Sequence, residues 1–361
     1  MRVLIVGAGI AGLALARALH QQGITAEVVE RVAERQSIGA GLYLPGNAVR
    51  ALDELGIGPV AAGANPIGRQ RILDHRGRLL ADIDLDRIWD GVGGCVAVHR
   101  ADLHKALLHG TAEVPVRLGT SVTHLENSGK PRVSFSDGSD GSYDLVVGAD
   151  GVHSTIRRVA MGGPPASYVG QLSWRFLVND FPDDTDWTAM LARGRTFLTV
   201  ALGGGVVYCY ADLNTIDPAG VGSQDWRELF ADFAEPVPRL LDQATEAYFA
   251  PIEEVVSPTW IAGNVVLIGD AAHATSPNMA QGAAMAVEDA LVLAAMLTEV
   301  PLDQALAGYQ HRRRARVTWV LEQTHRRDRT RKLAPMVRNV TLRLAAERIF
   351  RSNYGPLRDV P

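Results

Sequence analysis

The chain has 361 residues, of which 47% are hydrophobic and 21% charged, and its formal net charge is −4. This length and composition indicate a globular protein of two or three structural units with a sizeable core. They exclude a nucleic-acid-binding protein, because no Lys/Arg-rich block occurs in the first three hundred residues.

Cys95 and Cys209 are the two cysteines, too few for a disulfide framework, so the sequence predicts a reducing, cytoplasmic environment. The apolar first twenty residues imitate a secretory signal, but the spaced glycines and a following acidic residue argue against that interpretation. Glu288 and Asp289 interrupt the best candidate for a membrane span. The sequence therefore predicts no integral membrane segment.

The first predicted elements form a βαβ unit of about thirty residues, with a strand at Val3–Val6, a helix from Ile10 to about Gln22 and a strand at Thr25–Glu30. In the turn between them, Gly7 permits a tight bend and Gly9 lets the backbone approach a pyrophosphate. The third glycine, Gly12, lets the helix pack close to the strand, and the helix N-terminus stabilises phosphate charge. Glu30 lies 18 residues after Gly12, where a carboxylate accepts hydrogen bonds from a ribose 2′-OH. The unit predicts dinucleotide binding without saying which dinucleotide.

The middle of the chain changes from an α/β pattern to a β-rich one. A third apolar strand at Asp144–Val147 leads directly into Gly148-Ala149-Asp150-Gly151. Gly203-Gly204-Gly205 lacks a strand–helix setting and is predicted to be a hairpin turn. The β-rich runs and the two helices that follow them are predicted at Leu172–Val178, Phe197–Leu202, Val206–Tyr210, Trp226–Phe233 and Val237–Gln243.

A second strand–turn–helix signal begins at Val265–Ile268 and continues through Gly269-Asp270 to a helix from about Met279 to Leu297. An aspartate at this turn can bind the ribityl or ribose hydroxyls of an extended cofactor. Free N–H groups at the helix start can stabilise negative charge at the N1–C2 edge of a reduced flavin. This second site indicates that the dinucleotide is FAD.

The end of the chain is predicted to be helical and basic. Residues 311–351 carry 13 Lys/Arg against 3 Asp/Glu, while the rest of the chain carries 23 against 37. A solvated helix face is the simplest interpretation. Docking against an acidic flavin domain, contact with a dimer mate and steering of an anionic nicotinamide cofactor remain alternatives.

Over nearly its whole length the chain resembles the group A flavoprotein monooxygenases, which include p-hydroxybenzoate, salicylate and urate hydroxylases. The resemblance rests on three separated motifs: the fingerprint Gly7–Gly12 with Glu30, the DG motif Gly148–Gly151 running into Ser154 and Arg157, and the GD motif Leu267–His273 with Pro277 and Gln281-Gly282. In addition, Arg100 resembles the family's arginine on the helix after the crossover. The segment Gly39-Ala40-Gly41-Leu42-Tyr43 looks like the loop that flanks the flavin.

Carried onto this sequence, the resemblance implies a set of residues that contact FAD. They are Gly7, Gly9, Ile10, Ala11, Gly12, Glu30, Arg31, Gly41, Leu42, Arg100, Val122, Asp150, Gly151, Gly269, Asp270, Pro277, Gln281, Gly282 and Ala283.

The resemblance also implies a reaction. NADPH or NADH binds transiently and reduces the flavin, oxygen forms a flavin C4a-hydroperoxide, and a small cyclic substrate is hydroxylated or epoxidised. A flavin dehydrogenase or reductase without oxygen insertion, and a non-catalytic FAD-binding redox sensor, remain alternatives. A flavin-dependent halogenase is disfavoured, since the expected Trp-x-Trp-x-Ile-Pro string is absent and only three lysines occur.

The substrate residues are expected on the β-rich sheet, where Arg175, Arg195, Tyr208 and Tyr210 are candidates. Tyr208 and Tyr210 share one strand face by the period of two. By resemblance to the urate hydroxylases, Arg195 and Tyr208 are predicted to contact substrate as the catalytic pair. Asn278 occupies a turn where some relatives have an acid, which puts a carboxylate-assisted mechanism there in doubt.

His273 is expected to pack near the cofactor rather than act as a base, and no His/Cys/Asp cluster has the spacing of a metal site. The element order and the resemblance together predict an α/β protein of the GR2-type flavoprotein fold. It comprises a Rossmann-like FAD-binding domain, an inserted antiparallel β-sheet substrate domain and C-terminal helices. The predicted bounds are 1–67, 96–165 and 257–300 for the FAD domain, 68–95 and 166–256 for the substrate domain, and 301–361 for the helices. The chain is predicted to be a monomer or a homodimer.

Overall fold

The computed structural model describes residues 1–33, 41–58, 63–182, 186–221 and 225–361. The described strands are β1 (Arg2–Val6), β2 (Thr25–Glu30), β3 (Gly41–Leu44), β4 (Asn65–Pro66), β5 (Arg69–Asp74), β6 (Leu79–Asp84), β7 (Val96–His99), β8 (Val116–Leu118), β9 (Val122–Glu126), β10 (Arg132–Phe135), β11 (Asp140–Ser142), β12 (Leu145–Gly148), β13 (Ser167–Val178), β14 (Trp187–Leu191), β15 (Arg195–Gly203), β16 (Val206–Asn214), β17 (Tyr248–Glu254), β18 (Ile261–Ala262) and β19 (Val265–Leu267). The described α-helices are α1 (Ile10–Gln21), α2 (Gly46–Glu54), α3 (Leu85–Ile88), α4 (Arg100–His109), α5 (Thr155–Met161), α6 (Val237–Asp242), α7 (Asp270–His273), α8 (Gly282–Glu299), α9 (Leu302–Thr330) and α10 (Pro335–Tyr354).

A six-stranded sheet in the order β18-β19-β12-β1-β2-β8 forms the centre of the α/β part. All its neighbouring pairs are parallel except β18 with β19. Parallel strands end at a common edge of the sheet. The turns that follow β1, β12 and β19 therefore meet there, and these turns contain the glycine fingerprint, the DG motif and the GD motif.

A seven-stranded sheet in the order β17-β13-β16-β15-β14-β5-β6 forms the β-rich part, and β14 with β5 is its one parallel pair. The predicted hairpin turn at Gly203-Gly204-Gly205 is confirmed. It joins β15 to β16, and all three glycines have positive φ values, at +86°, +62° and +75°.

The two faces of this sheet differ in what covers them. One face packs on an aromatic cluster that includes Phe176, Phe197 and Phe230, all at most 1% exposed. The other face carries Tyr208 and Tyr210 and packs toward the central sheet. Because side chains alternate along a strand, neighbouring residues point to opposite faces and pack in different environments.

Three long helices complete the molecule. The predicted helix after the GD motif begins at Gly282 rather than near Met279, because Pro277–Met279 forms a 3-10 turn and Ala280 has a φ of +50°. The basic end of the chain forms α9, which is 29 residues or about 44 Å long, and α10. Among the described helices, none combines the length and apolar character needed to cross a membrane.

The predicted fold class is confirmed: a parallel-sheet α/β part, an antiparallel sheet inserted in sequence, and C-terminal helices. The strands of the segments 68–95 and 166–256 pair within the one seven-stranded sheet. The exact domain bounds stay a prediction.

Candidate active site

The glycine fingerprint has the conformation that its spacing predicts. Gly7 has a φ of +109°, and a Cβ atom there would lie 2.4 Å from the carbonyl oxygen of Ala149. A Cβ atom on Gly12 would lie 1.9 Å from the carbonyl oxygen of Gly7. At Gly9, by contrast, a Cβ atom would meet nothing within 4 Å. Gly7 and Gly12 are thus required by packing, while Gly9 leaves an open cradle at the start of α1.

Glu30 is held at the end of β2 beside this cradle. One carboxylate oxygen accepts a hydrogen bond of 2.9 Å from the N–H of Ala8, and the other accepts one of 3.0 Å from the N–H of Val32. His104 of α4 contacts the same turn, with its Nε2 atom 2.8 Å from the carbonyl oxygen of Ala8. The carboxylate is therefore fixed where a ribose was predicted. Arg31 is exposed and Val122 is buried at the start of β9.

The DG motif fixes the start of α5. The carboxylate of Asp150 accepts hydrogen bonds from the N–H groups of Thr155 (2.7 Å) and Ile156 (3.1 Å), and burial raises its pKa. Arg157 donates from Nη1 to the carbonyl oxygen of Ala271 at 2.9 Å, which ties this motif to the GD motif. Gly151 has a φ of +80° and open space where a Cβ atom would be.

The GD motif presents an unpaired carboxylate. Gly269 has a φ of +57°, and a Cβ atom there would lie 2.9 Å from the Cβ atom of Ala11. The following residue, Asp270, is exposed, and its side chain makes no hydrogen bond or ion pair with any described residue. Gly282 begins α8 across the turn, and a Cβ atom there would meet only the Oδ1 atom of Asp270, at 4.0 Å. A small-residue gap therefore lies between a free carboxylate and a helix start.

Two acidic residues behind this turn are completely buried. Glu288 and Asp289 of α8 are both 0% exposed and pair with Arg313 of α9 at 2.8 Å and 2.7 Å. Arg316 adds a second ion pair to Glu288 at 2.8 Å. Burial alone would raise the pKa of Asp289, but His273 and Arg313 lower it to about 2. Docking against acidic groups is thus the correct interpretation for Arg313 and Arg316, and the solvated-face interpretation is wrong for these two.

Gln281 is a buried connector to α2 through its side chain. Its amide exchanges two hydrogen bonds with that of Asn47, at 2.9 Å and 3.1 Å, and Asn47 also donates to Glu288 at 3.0 Å. Gln281 is 1% exposed, so its side chain positions the helix start. Asn47 and the buried acids were not predicted as part of the site.

His273 is held away from the site by two contacts. Its Nε2 atom lies 2.7 Å from the Oδ2 atom of Asp289, and its ring lies 5.3 Å from that of Trp260. This placement agrees with the expectation that His273 packs near the cofactor turn.

The three motifs border one cavity of about 980 Å³ that continues to the seven-stranded sheet. The predicted FAD residues that line it are Gly9, Ile10, Ala11, Gly41, Leu42, Arg100, Gly151, Asp270, Pro277, Gly282 and Ala283. The remaining predicted residues do not line it, and their contact with FAD stays a prediction: Gly7, Gly12, Glu30, Arg31, Val122, Asp150, Gly269 and Gln281. Gly39 and Ala40 lie outside the described residues. The open cradle at Gly9, the free carboxylate of Asp270 and the exposed helix starts fit FAD. Across the described part of the chain, no group of three or more His, Cys, Asp or Glu could hold a metal ion.

The far wall of the cavity is the tyrosine face of the seven-stranded sheet. Arg175 of β13 lies opposite Tyr210 of β16, with its guanidinium 5.7 Å from the ring centre. The Nε atom of Arg175 and the hydroxyl of Tyr210 are buried without a hydrogen-bond partner among the described residues. Burial raises the pKa of Tyr208 and of Tyr210 to about 12, so both phenols remain protonated at neutral pH. A cation and two hydroxyl donors therefore face the cavity.

Arg195 borders the same cavity, but its side chain does not lie on the sheet face of Tyr208. In the register of β15 with β16, Arg195 lies opposite Leu213 whereas Val200 lies opposite Tyr208, so the two predicted residues point to opposite faces. The guanidinium of Arg195 makes two hydrogen bonds of 2.8 Å to Asp232 and lies 5.5 Å from the ring of Phe233. The contact of Arg195 with substrate therefore stays a prediction, with its guanidinium engaged by Asp232.

A polar network that was not predicted surrounds Asn278. Arg331, directly after α9, is paired with Asp212, a 0% exposed residue of β16, and donates to the Oδ1 atom of Asn278 at 3.1 Å. The amide of Asn278 donates to Asp328 of α9, whose pKa is raised by burial. The carboxylates of Asp212 and Asp328 therefore lie on either side of Asn278, the turn residue where some relatives have an acid. The sequence signal for this network is the alternation of Tyr208, Tyr210 and Asp212 along β16, which places the acid on the same face as the two tyrosines.

Comparisons with known proteins agree with this geometry. The family described as FAD binding domain matches residues 1–324. The chain is 35% identical to a 2-heptyl-3-hydroxy-4(1H)-quinolone synthase of Pseudomonas aeruginosa, over 90% of this chain and 88% of that protein. It is 32% identical to an FAD-dependent urate hydroxylase of Klebsiella pneumoniae, over 88% of this chain and 87% of that one. The crystal structure of Klebsiella pneumoniae HpxO complexed with FAD and uric acid superposes with a TM-score of 0.82 at 29% identity, over 99% of this chain and 92% of that one.

Proposed function

The chain belongs to the FAD-binding family of aromatic-ring monooxygenases. On that premise we propose that Arg175 binds an oxygen substituent on the ring of the substrate. The enzyme is an FAD-dependent monooxygenase that acts on aromatic or heteroaromatic compounds, as its relatives do. The observation that carries the proposal is the unpaired Nε atom of Arg175 in the cavity wall. A buried N–H of a guanidinium without an acceptor is costly, and an oxygen of the substrate would remove that cost.

FAD supplies the redox chemistry, and NAD(P)H is the reductant typical of this family. The N–H groups at the start of α1 beside Gly9 would bind the pyrophosphate of FAD, and Glu30 would bind its ribose. Asp270 would accept hydrogen bonds from further cofactor hydroxyls. The N-terminus of α8 at Gly282 would stabilise negative charge on the cofactor ring.

The substrate face has its own task, which is to orient the ring and polarise it. Arg175 would hold an oxygen substituent in its anionic form, and an oxyanion makes a ring richer in electrons. Tyr208 and Tyr210 keep their protons and would donate hydrogen bonds to the same substituent. Uric acid and a hydroxyquinolone, which the names of relatives contain, are both heteroaromatic rings with such oxygens.

The network around Asn278 is proposed to accept the proton released by the substrate. Asp328 is proposed as the acceptor because burial raises its pKa, and it lies behind Ser276 and Asn278, which border the cavity. Gln171 and Ser276 donate to it at 3.0 Å and 3.1 Å, and this fixes the orientation of its carboxylate. Asp212 is less suited, since its charge is matched by Arg331.

A cytoplasmic location is also part of this proposal. It is supported by the two free cysteines, Cys95 and Cys209, which are both buried. The prediction of a monomer or a homodimer stays open.

The test is a turnover screen of the FAD-loaded protein against phenols, aromatic acids and hydroxylated N-heterocycles, with NADH and NADPH in turn. Each compound that accelerates nicotinamide oxidation is incubated under ¹⁸O₂, and the product is analysed by mass spectrometry. We expect one labelled oxygen per product. Hydrogen peroxide with unlabelled product for every responsive compound would contradict oxygen insertion, and equal rates for ring-hydroxylated compounds and their methyl ethers would contradict the role of Arg175.

A further inference from the structure

Helix α10 spans the cavity from the outer strands of the seven-stranded sheet to the cofactor turn. Near its start, Arg338 donates to the carbonyl oxygens of Ala192 at 2.6 Å and Leu191 at 3.2 Å. At its end, the hydroxyl of Tyr354 donates to the carbonyl oxygen of Met279 at 3.1 Å. Arg338 and Tyr354 are sixteen residues apart, which corresponds to about 24 Å of helix. The helix is therefore fixed at both ends and roofs the space between them.

The space beneath this roof is mainly apolar. The sheet contributes Ile72, Trp187 and Leu198 to its wall, and α10 contributes Leu342, Ala345 and Ile349. We call the part of the cavity between these six residues the apolar arm. Polar side chains of the same cavity wall include Gln70 and Thr196 from the sheet and Arg338, Thr341, Arg348, Ser352 and Asn353 from α10. The arm is continuous with the polar end of the cavity at Arg175 and Tyr210, since these residues line the same cavity.

From this arrangement we propose that the substrate is an amphipathic molecule, a hydroxylated aromatic or heteroaromatic ring with an aliphatic chain. The inference rests on the proposed function, which assigns the ring oxygen to Arg175. The chain lies in the apolar arm, where its burial removes both its own surface and that of the six wall residues from water. A ring without a chain would leave the arm filled with water that finds few hydrogen-bond partners on apolar walls.

The size of one residue sets the width of the arm. Ala345 is half-buried on the inner face of α10, and a larger side chain there would enter the space opposite the sheet. Its neighbour Leu344 is 82% exposed and is not part of the cavity wall. Ile349 is 38% exposed, so the arm opens to solvent at this end and a long chain can emerge there.

The experiment measures binding of two series of compounds to the FAD-loaded protein by calorimetry at two temperatures. The series are 4-alkylphenols and 2-alkyl-4-hydroxyquinolines, with chains from methyl to nonyl. We expect Kd to fall about fourfold for each added methylene until the arm is filled. The heat-capacity change on binding should become more negative with chain length, because apolar surface is buried.

The matched variants are Ala345→Phe and Leu344→Phe, adjacent residues that differ in facing the arm or the solvent. Ala345→Phe should end the chain-length gain at a shorter chain, while Leu344→Phe should keep the native series. A Kd that does not depend on chain length in either series would overturn the inference, even if ring hydroxylation is observed. Chain-dependent binding of compounds that are never oxygenated would instead contradict the proposed function and leave the arm assigned.

Discussion

The backbone N–H of Gly269 donates a hydrogen bond of 2.8 Å to the Oδ2 atom of Asp289, twenty residues further along the chain. Gly269 is the left-handed residue of the GD motif, so this bond fixes the turn that presents Asp270. Asp289 is held in turn by Arg313 and His273. The buried charges between α8 and α9 therefore position the cofactor turn.

We predict that Asp289→Asn lowers stability by about 3–5 kcal/mol at neutral pH, because Arg313 loses a fully buried partner. The loss should appear in urea unfolding followed by circular dichroism. FAD content should fall with it, since the amide keeps one acceptor oxygen for the donors of Gly269, His273 and Arg313. Asp303→Asn, at an exposed position of α9, is the control. A variant with native stability would mean that the buried ion pairs do not hold the two helices.

The lowered pKa of Asp289 predicts a loss of stability at acidic pH. The pKa of Asp289 is lowered to about 2 in the folded protein, from about 3.9 for an unfolded chain. A lowered pKa contributes stability that is present above the unfolded value and is lost as pH falls toward the folded value. The native protein should therefore lose stability between about pH 4 and pH 2. In Asp289→Asn this component should be missing, so a parallel decline in both proteins would contradict the assignment.

We predict that Asp270→Ala folds but holds FAD at least about tenfold more weakly, because a charge-assisted hydrogen bond to the cofactor is lost. The measurement is the ratio of flavin to protein absorbance after purification, followed by titration of the apoprotein with FAD. Glu322→Ala, an exposed acid on α9, should retain the native ratio. Fully loaded Asp270→Ala would show that this carboxylate does not face the cofactor.

A pair of glycine variants separates cofactor binding from packing. Gly9→Ala adds a methyl group in open space, so the apoprotein should keep its Tm within about 2 °C while FAD binding is lost. Gly12→Ala drives a Cβ atom into the carbonyl oxygen of Gly7, so the apoprotein itself should lose several degrees. Thermal unfolding with and without FAD distinguishes the two. If both apoproteins melted alike, the open cradle at Gly9 would be in question.

The three cofactor turns could be predicted from the sequence because local geometry dictates them. A positive φ in the turn after a strand, as at Gly7 (+109°) and Gly269 (+57°), favours glycine at that position. The spacing of small residues after an apolar strand therefore carries the information. In the structure the turns meet because parallel strands share an edge.

The network around Asn278 could not be predicted, because its members come from separate elements. Asp212 lies on β16 and Arg331 follows α9, more than a hundred residues later in the chain. Their pairing depends on how α9 packs against the sheet. Asp328 lies in a basic segment, where the count of charges predicts a solvated face and gives no sign of a half-buried acid.

Arg195 shows a different limit, since a place at the start of a strand beside Tyr208 does not fix the face that its side chain takes. Candidates were grouped by neighbouring strands, but the face depends on the register across the hairpin. Thr196, which lies opposite Asp212, shares the face of Tyr208, and Arg195 is one residue out of phase.

The last prediction therefore contrasts the two arginines. Arg175→Gln should raise Kd for a ring-hydroxylated substrate by about 10- to 100-fold, since a charged hydrogen bond is lost, while FAD content stays native. It should also abolish the preference for the hydroxylated ring over its methyl ether. Arg195→Gln should leave both Kd values unchanged and lower Tm, because Asp232 loses the hydrogen bonds that lower its pKa.

Calorimetric titration of both FAD-loaded variants with a phenol and its methyl ether makes this comparison. Because the two arginines lie on opposite faces of one sheet, a general loosening of the sheet would weaken both ligands in both variants. Loss of discrimination in Arg195→Gln with native binding in Arg175→Gln would reverse the assignment of faces. Loss of discrimination in Arg175→Gln alone would place the ring oxygen at the tyrosine face. Arg175 contacts the cavity there, and it has no acidic partner among the described residues of β13 and β16.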